Sequence, residues 1–291
     1  MPALEFDTAD VFTDRRFGGN PLAVVYDADA LDGAAMQRLA REFNLSETVF
    51  VLAPRRPGTD AFIRIFTPAV EMPFAGHPNV GCAVLLARRR GTGSARVVLD
   101  QQAGPVPALL ARDAAGAVTG ATIEAPKPHA AGAALDPAAM AACAGLPAGA
   151  IAAARLHSCG APFAIAAVAD AATLAAAAPV PEAFRAHLPV SQAIGLLLHT
   201  RHGPDRHRVR MFGPLAGVPE DPATGSAAVA FGGLLLAEAG GDAIAVTLEQ
   251  GAEMGRPSLL SVAARRDGTG AIRVSVGGGV VAVSRGMVEA T

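Results

Sequence analysis

The chain has 291 residues, half of them apolar and many of those alanine or valine, and a net charge of −2. That length suits two compact domains whose cores need no metal or disulfide staple. The lack of a basic stripe and the scarcity of aromatic residues argue against a nucleic-acid partner. The uncharged run in the strongly apolar stretch Gly225 to Ala237 is shorter than the roughly 20 residues that a membrane span needs.

The opening "MPALEFDTAD" has no basic region and is acidic early, so it does not read as a secretory signal. Next comes "NPLAVVYDADAL" (20–31), a strand and turn leading into a helix. In that helix Met36, Leu39, Ala40 and Phe43 fall at i, i+3, i+4 and i+7. "TVFVLAP" and "DAFIRIFTP" read as strands, and the alternation of Phe62, Arg64 and Phe66 gives the second one buried face. The stretch "EMPFAGHPNVGCAVLL" (71–86) then places a Gly-His-Pro turn before a helix that is apolar all round, which must be buried on all sides. Two or three further strands lead to a Pro- and Ala-rich seam, "TIEAPKPHAAGAALDP".

Beyond the seam the same order returns. "NPLAVVYDADAL" matches "APFAIAAVADAATL", "SETVFVL" matches "SQAIGLL", and "IRIFTPAVEMPFAGHP" matches "VRMFGPLAGVPEDPATG". "LDQQAG" matches "LEQGAE", and Leu109-Leu110 matches Leu259-Leu260. The offsets of 141, 145, 146, 149 and 150 drift slowly upward, as a tandem duplication with small insertions would give. The expected fold is α+β: two duplicated domains, each a strongly curved, mostly antiparallel sheet wrapped around a central apolar helix, with the active site in a cleft between them. The expected domains are 1–124 and 125–279, with the C-terminal strand, about 280–291, returning to the first. "HTRHGPDRHR" reads as an exposed loop and Gly277–Gly279 as a bend.

A glycine turn that opens a helix presents unpaired N–H groups at the positive end of the helix dipole and suits an anion. Gly76 and Gly225 allow close approach, Thr224 and Ser226 add hydroxyls, and a small carboxylate fits such a place. His77 can donate to an anion or relay a proton near neutral pH, or simply be a structural hydrogen-bonder. Asp221 can bind a substrate amine or hydroxyl, or cap the helix. Glu47 sits among Leu45, Val49, Phe50 and Val51, where desolvation raises a carboxyl pKa toward the range of a general acid/base. The alternative is a junction cap or salt bridge. Its match in the second half reads as Gln192, which cannot take a proton. No metal constellation, P-loop, GxSxG or dinucleotide fingerprint is present, so no cofactor is expected. Cys82, Cys143 and Cys159 form no CxxC pair, and this odd, scattered set suits a reducing cytosol.

Together "FGGNPLAVV", "FNLSETVFV", "IRIFTPAVEMPFAGHP", "EDPATGSA" and "EQGAEMGRPS" resemble the PhzF-like phenazine-biosynthesis family from about Asp7 to Ser284. Its fold is similar to that of diaminopimelate epimerase and proline racemase. Those relatives use one cysteine at each glycine turn as paired acid and base, and here Ala75 and Pro222 stand there. The resemblance implies that Glu47 shuttles a proton between carbons of trans-2,3-dihydro-3-hydroxyanthranilate. It implies that Asn20, Gly76, His77, Asp221, Thr224, Gly225 and Ser226 bind substrate or relay protons. A cytoplasmic, cofactor-independent homodimer is expected. The rivals are an epimerase or another proton-transfer enzyme acting on a different carboxylate, and a non-catalytic small-molecule-binding member of the fold.

Overall fold

The computed structural model describes residues 3–289. They form two compact units. The first runs to Glu124 and resumes at Gly277, and the second is Ala125–Val276.

The first unit contains, in order, β1 (Ala3–Val11), β2 (Asn20–Val25), α1 (Gly33–Phe43), β3 (Glu47–Leu52), β4 (Ala61–Phe66) and β5 (Glu71–Met72). There follow α2 (Gly76–Arg90), β6 (Arg96–Asp100), β7 (Val106–Arg112) and β8 (Val118–Glu124). β1 and β2 pair antiparallel, β2 and β3 parallel, β3 and β4 antiparallel, β4 and β6 parallel, and β6, β7 and β8 antiparallel. Parallel neighbours need a crossover connection. α1 supplies it between β2 and β3, and α2 lies on the path from β4 to β6.

α2 buries every residue from Gly76 to Ala87 and packs against β1, β2, β3, β6, β7 and β8. It starts after Ala75 in extended backbone and ends at Gly91 in the left-handed region. Near its end Arg88 donates to the carbonyls of Val118 and Val280. α1 lies outside the sheet. Its N-cap Asp32 accepts from the Ala35 N–H, and Met36, Leu39 and Ala40 join Phe50 and Phe66 in a second apolar layer. Full burial of each large side chain there contributes about 1.5–3 kcal/mol.

The second unit contains β9 (Ala130–Leu135), α3 (Pro137–Cys143), β10 (Ile151–Ser158), β11 (Pro162–Val168), α4 (Ala171–Ala176), α5 (Pro181–His187) and β12 (Leu196–Gly203). It continues with β13 (Arg206–Gly213), β14 (Val218–Asp221), α6 (Gly225–Ala239), β15 (Ala243–Gln250) and β16 (Ser258–Arg266); the last strand, β17 (Ile272–Glu289), begins in this unit and from Gly277 belongs to the first. The pairing scheme repeats: β10 with β11 antiparallel, β11 with β12 parallel, β12 with β13 antiparallel, β13 with β15 parallel, and β15 with β16 antiparallel. α6 takes the place of α2 and packs on β9, β10, β11, β15 and β16. α3, α4 and α5 form the outer layer around Met140, Leu174 and Phe184. The second core therefore carries more helix than the first but keeps the same plan.

β17 explains how the first unit closes. From Gly277 on it pairs with β8 and, antiparallel, with β1, so the strands of that unit form a ring around α2. The fold is the expected α+β arrangement of duplicated curved sheets around central helices.

Two local expectations fail. Gly277–Gly279 is not a bend but the middle of the continuous strand β17. Its glycines allow close approach: a Cβ on Gly277 would lie 2.2 Å from Thr122 Oγ1, and one on Gly279 would lie 2.5 Å from the Thr13 carbonyl oxygen. "HTRHGPDRHR" is not an exposed loop but the β12–β13 hairpin. His199 and His207 turn inward onto Phe231 of α6, with ring centroids 4.3 and 5.1 Å from it.

Candidate active site

In the first unit the parallel register sets Glu47, the first residue of β3, beside Leu22 of β2. Asn20, fully buried, begins that same β2. Gly76 and His77 open α2, whose N-cap, Ala75, makes no side-chain cap. His77 Nε2 lies 3.2 Å from Glu47 Oε2, with the two side chains 5% and 17% exposed. The imidazole bonds to the backbone of Pro21, whose only polar group is its carbonyl, so Nδ1–H donates there and Nε2 faces Glu47 as an acceptor. Burial pushes the His77 pKa down to about 3, against a weaker upward pull from that bond. His77 is therefore neutral near pH 7, with one N–H committed to Pro21.

In the second unit Asp221 ends β14, Thr224 is the N-cap of α6, and Gly225 and Ser226 open the helix. Asp221 Oδ2 accepts the Thr224 hydroxyl at 2.5 Å. Ser226 is half-buried and Thr224 buried. Each unit thus gathers its own four of the eight sequence-derived candidates: Asn20, Glu47, Gly76 and His77 in one, Asp221, Thr224, Gly225 and Ser226 in the other.

The residue matching Glu47 is not Gln192. Val24 pairs with Val49 and Val49 with Ile65, while Ile165 pairs with Leu197 and Leu197 with Met211. Val49 therefore corresponds to Leu197, and Glu47 to Gly195. Gln192 lies before β12, in a turn where its N–H donates to the Pro189 carbonyl. The offset is 148 at this strand and 146 at the next, so it does not climb steadily. A Cβ on Gly195 would stand 2.4 Å from the Phe212 carbonyl oxygen. The second unit thus has no room for any side chain at the position of the glutamate.

Two sets of residues around the turns escaped the sequence reading. Arg64 grips Glu71 with two bonds of 2.7 and 2.6 Å, and Arg210 grips Glu220 with two of 2.8 Å. Each pair ties the strand that precedes a glycine turn to its neighbour. Gln101 exchanges amide bonds with Asn79, whose Nδ2 donates to the Ala75 carbonyl. Gln250 bonds to Asp221 and Thr224. Gln101 and Gln250 share the offset of 149 that also relates Gly76 to Gly225, and this common spacing was the available signal.

The thiols take no part in these arrangements. Cys82, Cys143 and Cys159 are buried and unbridged, and burial pushes them up to about 12, 11 and 12. All three are protonated near neutral pH. Among the described residues no group of three or more His, Cys, Asp or Glu side chains could hold a metal ion. No helix among them is long and apolar enough to cross a membrane.

Comparison with known proteins identifies relatives of the chain. A trans-2,3-dihydro-3-hydroxyanthranilate isomerase of Pseudomonas chlororaphis is 37% identical over 282 residues, covering 96% of this chain and 97% of that protein. An uncharacterized isomerase of Mesorhizobium japonicum is 39% identical over 300 residues, covering 95% and 96%. Among solved structures, a predicted epimerase from Pseudomonas aeruginosa superposes with a TM-score of 0.80 at 32% identity, over 99% of this chain and 100% of that one. A hydroxyproline epimerase from Agrobacterium vitis, 12% identical with a TM-score of 0.67 over 99% and 91%, shares the fold. By fold and relatives the chain is an isomerase. The model of the phenazine biosynthesis-like (PhzC-PhzF) family matches residues 9–286, and the chain belongs to that family.

Proposed function

We propose that the protein moves a proton within a small cyclic or amino-acid-like carboxylate of the trans-2,3-dihydro-3-hydroxyanthranilate type, with Glu47 as general acid/base. The observation that carries this reading is the half-shielded carboxylate of Glu47 set 3.2 Å from a buried, neutral imidazole. With its N–H committed to Pro21, Nε2 can only accept, so the contact is a hydrogen bond when the Glu47 carboxyl carries the proton and a facing of two lone pairs when it has given the proton up. Conjugation with the substrate's unsaturated system acidifies the C–H. Glu47 takes that proton and returns it to another carbon of the same system, so the atoms balance with no external oxidant or reductant.

The remaining candidates bind and orient. The first-turn N–H groups at Gly76 and His77, and at Gly225 and Ser226, suit the substrate carboxylate and other polar groups. Asn20, Asp221 and Thr224 add hydrogen-bonding groups that discriminate among ring substituents. Identity of about 37% to proteins named for the dihydrohydroxyanthranilate reaction supports the substrate class.

The test is proton exchange followed by NMR in deuterated water. Wild-type protein incorporates solvent deuterium into trans-2,3-dihydro-3-hydroxyanthranilate during turnover. Glu47→Gln lowers kcat at least about 100-fold, the low end of a general base's contribution, and leaves binding intact. Exchange that persists in Glu47→Gln removes Glu47 from the mechanism. Exchange only with a different carboxylate from a panel keeps the glutamate and replaces the substrate.

A further inference from the structure

Gln250 is the last residue of β15 and is 2% exposed. Its Oε1 accepts the Thr224 N–H at 3.1 Å, while its Nε2 donates to the Asp221 carbonyl at 2.7 Å and to Thr224 Oγ1 at 3.2 Å. A reversed amide would set an NH2 group against the Thr224 N–H and an oxygen against the Asp221 carbonyl, so these partners fix its orientation. A threonine hydroxyl has one proton. With Gln250 donating to its oxygen, that proton points at Asp221 Oδ2, 2.5 Å away. Amide, hydroxyl and carboxylate form a relay in which every donor has one direction.

We propose that Gln250 is a positioning residue that fixes the Thr224 hydroxyl and, through it, the carboxylate of Asp221. This rests on the reading of Asp221 as a substrate-binding residue. The other half of the chain shows why the amide is more than a brace. Gln101 stands at the matching place and also holds its turn, but it does so by exchanging bonds with Asn79, which ends on the Ala75 carbonyl. Only the second relay ends on a carboxylate. Gln250 therefore adds, to the bracing both glutamines perform, control over which way a charged group is presented.

Gln250→Glu isolates that control. It keeps an acceptor for the Thr224 N–H, removes the Nε2 donor and offers the Thr224 hydroxyl a competing carboxylate. With trans-2,3-dihydro-3-hydroxyanthranilate as substrate, kcat falls roughly tenfold, as the loss of one well-placed hydrogen bond gives. Thr224→Val produces a similar loss and Thr224→Ser restores activity. The double variant Thr224→Val/Gln250→Glu is no worse than Thr224→Val alone, because the two residues act through one relay. In a crystal structure of Gln250→Glu the contact between Thr224 Oγ1 and Asp221 Oδ2 is lost. Losses that multiply in the double variant, or a contact that survives in the crystal structure, overturn the proposal. Gln250→Met, which buries no charge, supplies the same comparison if Gln250→Glu does not fold. Asp221→Asn is the separate control. If it changes neither turnover nor binding of 3-hydroxyanthranilate, the substrate role of Asp221 fails, while the crystallographic arm still decides whether Gln250 directs the hydroxyl.

Discussion

Nε2 of His77 stands 3.2 Å from Oε2 of Glu47, although the two residues are 30 positions apart and lie on different elements. The contact is built by β3 running parallel to β2 and by α2 opening beside them, with the His77 ring bonded to Pro21 of β2. Because the ring's one N–H is committed to Pro21, Nε2 faces Glu47 as an acceptor and takes a hydrogen bond from the carboxyl when that group carries a proton. His77→Asn shortens the side chain and removes that neighbour. We expect kcat to drop roughly tenfold or more with KM changed far less, since a positioned acid/base contributes about 10²–10⁴-fold. Steady-state kinetics on trans-2,3-dihydro-3-hydroxyanthranilate check this, and a change confined to KM would mean that His77 only binds.

Stability depends on acid in a defined direction. Burial lowers the pKa of His77 to about 3 and of His199 to about 3. It lowers His157 to about 4, with a smaller push from His129, whose Nε2 is 3.0 Å from His157 Nδ1. The unfolded chain binds protons at these groups from the ordinary histidine pKa near 6.5 downward, whereas the folded chain resists. Their neutral forms therefore support the fold fully above pH about 6.5, and that support is lost as pH falls toward 3–4. Each histidine steepens the slope of stability by at most about 1.4 kcal/mol per pH unit. Urea titrations between pH 8 and 5 should show a falling midpoint, with a shallower fall in His157→Gln. A midpoint independent of pH over this range would contradict the burial of these rings.

The two arginine–glutamate grips differ in burial and should differ in worth. Arg210 and Glu220 are 7% and 16% exposed, and Arg210 also donates to the carbonyls of Leu174, Ala175 and Ala177. Arg64 and Glu71 are 24% and 35% exposed. Removing one partner of a buried pair costs about 3–5 kcal/mol, and of a more exposed pair about 1 kcal/mol or less. Glu220→Gln should therefore lower stability far more than Glu71→Gln in matched denaturant melts. Equal losses would show that burial does not set the worth of these pairs.

Gly195→Ala tests the correspondence of Glu47 with Gly195. The added Cβ would meet the Phe212 carbonyl oxygen at 2.4 Å, and backbone of a paired strand cannot step aside cheaply. A loss of about 1–3 kcal/mol is expected, the usual cost of overpacking. Thermal unfolding of Gly195→Ala beside Gly58→Ala separates crowding from backbone strain: Gly58 has open space around it but a left-handed φ of 80°. A smaller loss at Gly195 than at Gly58 would remove the steric reason for the missing side chain.

The sequence by itself determined most of the elements, the duplication and the α+β class. Those follow from local signals: helical spacing from Met36 to Phe43, two all-apolar helices that had to be interior, and glycine turns at a fixed offset. Only the tertiary structure decided which residues correspond and which meet. Gln192 aligns with Glu47 along the chain, but strand register moves the match to Gly195, because parallel pairing is fixed by partners on a neighbouring strand and not by local pattern. "HTRHGPDRHR" is polar in sequence, yet His199 and His207 turn inward because Phe231 offers them an aromatic face. Gly277–Gly279 resembles a bend in isolation, but it is a strand whose missing side chains admit Thr122 and Thr13. The relay from Gln250 to Asp221 and the approach of His77 to Glu47 join residues 29 and 30 positions apart. No local pattern specifies a bond at that distance; the crossovers that α2 and α6 make inside their sheets do.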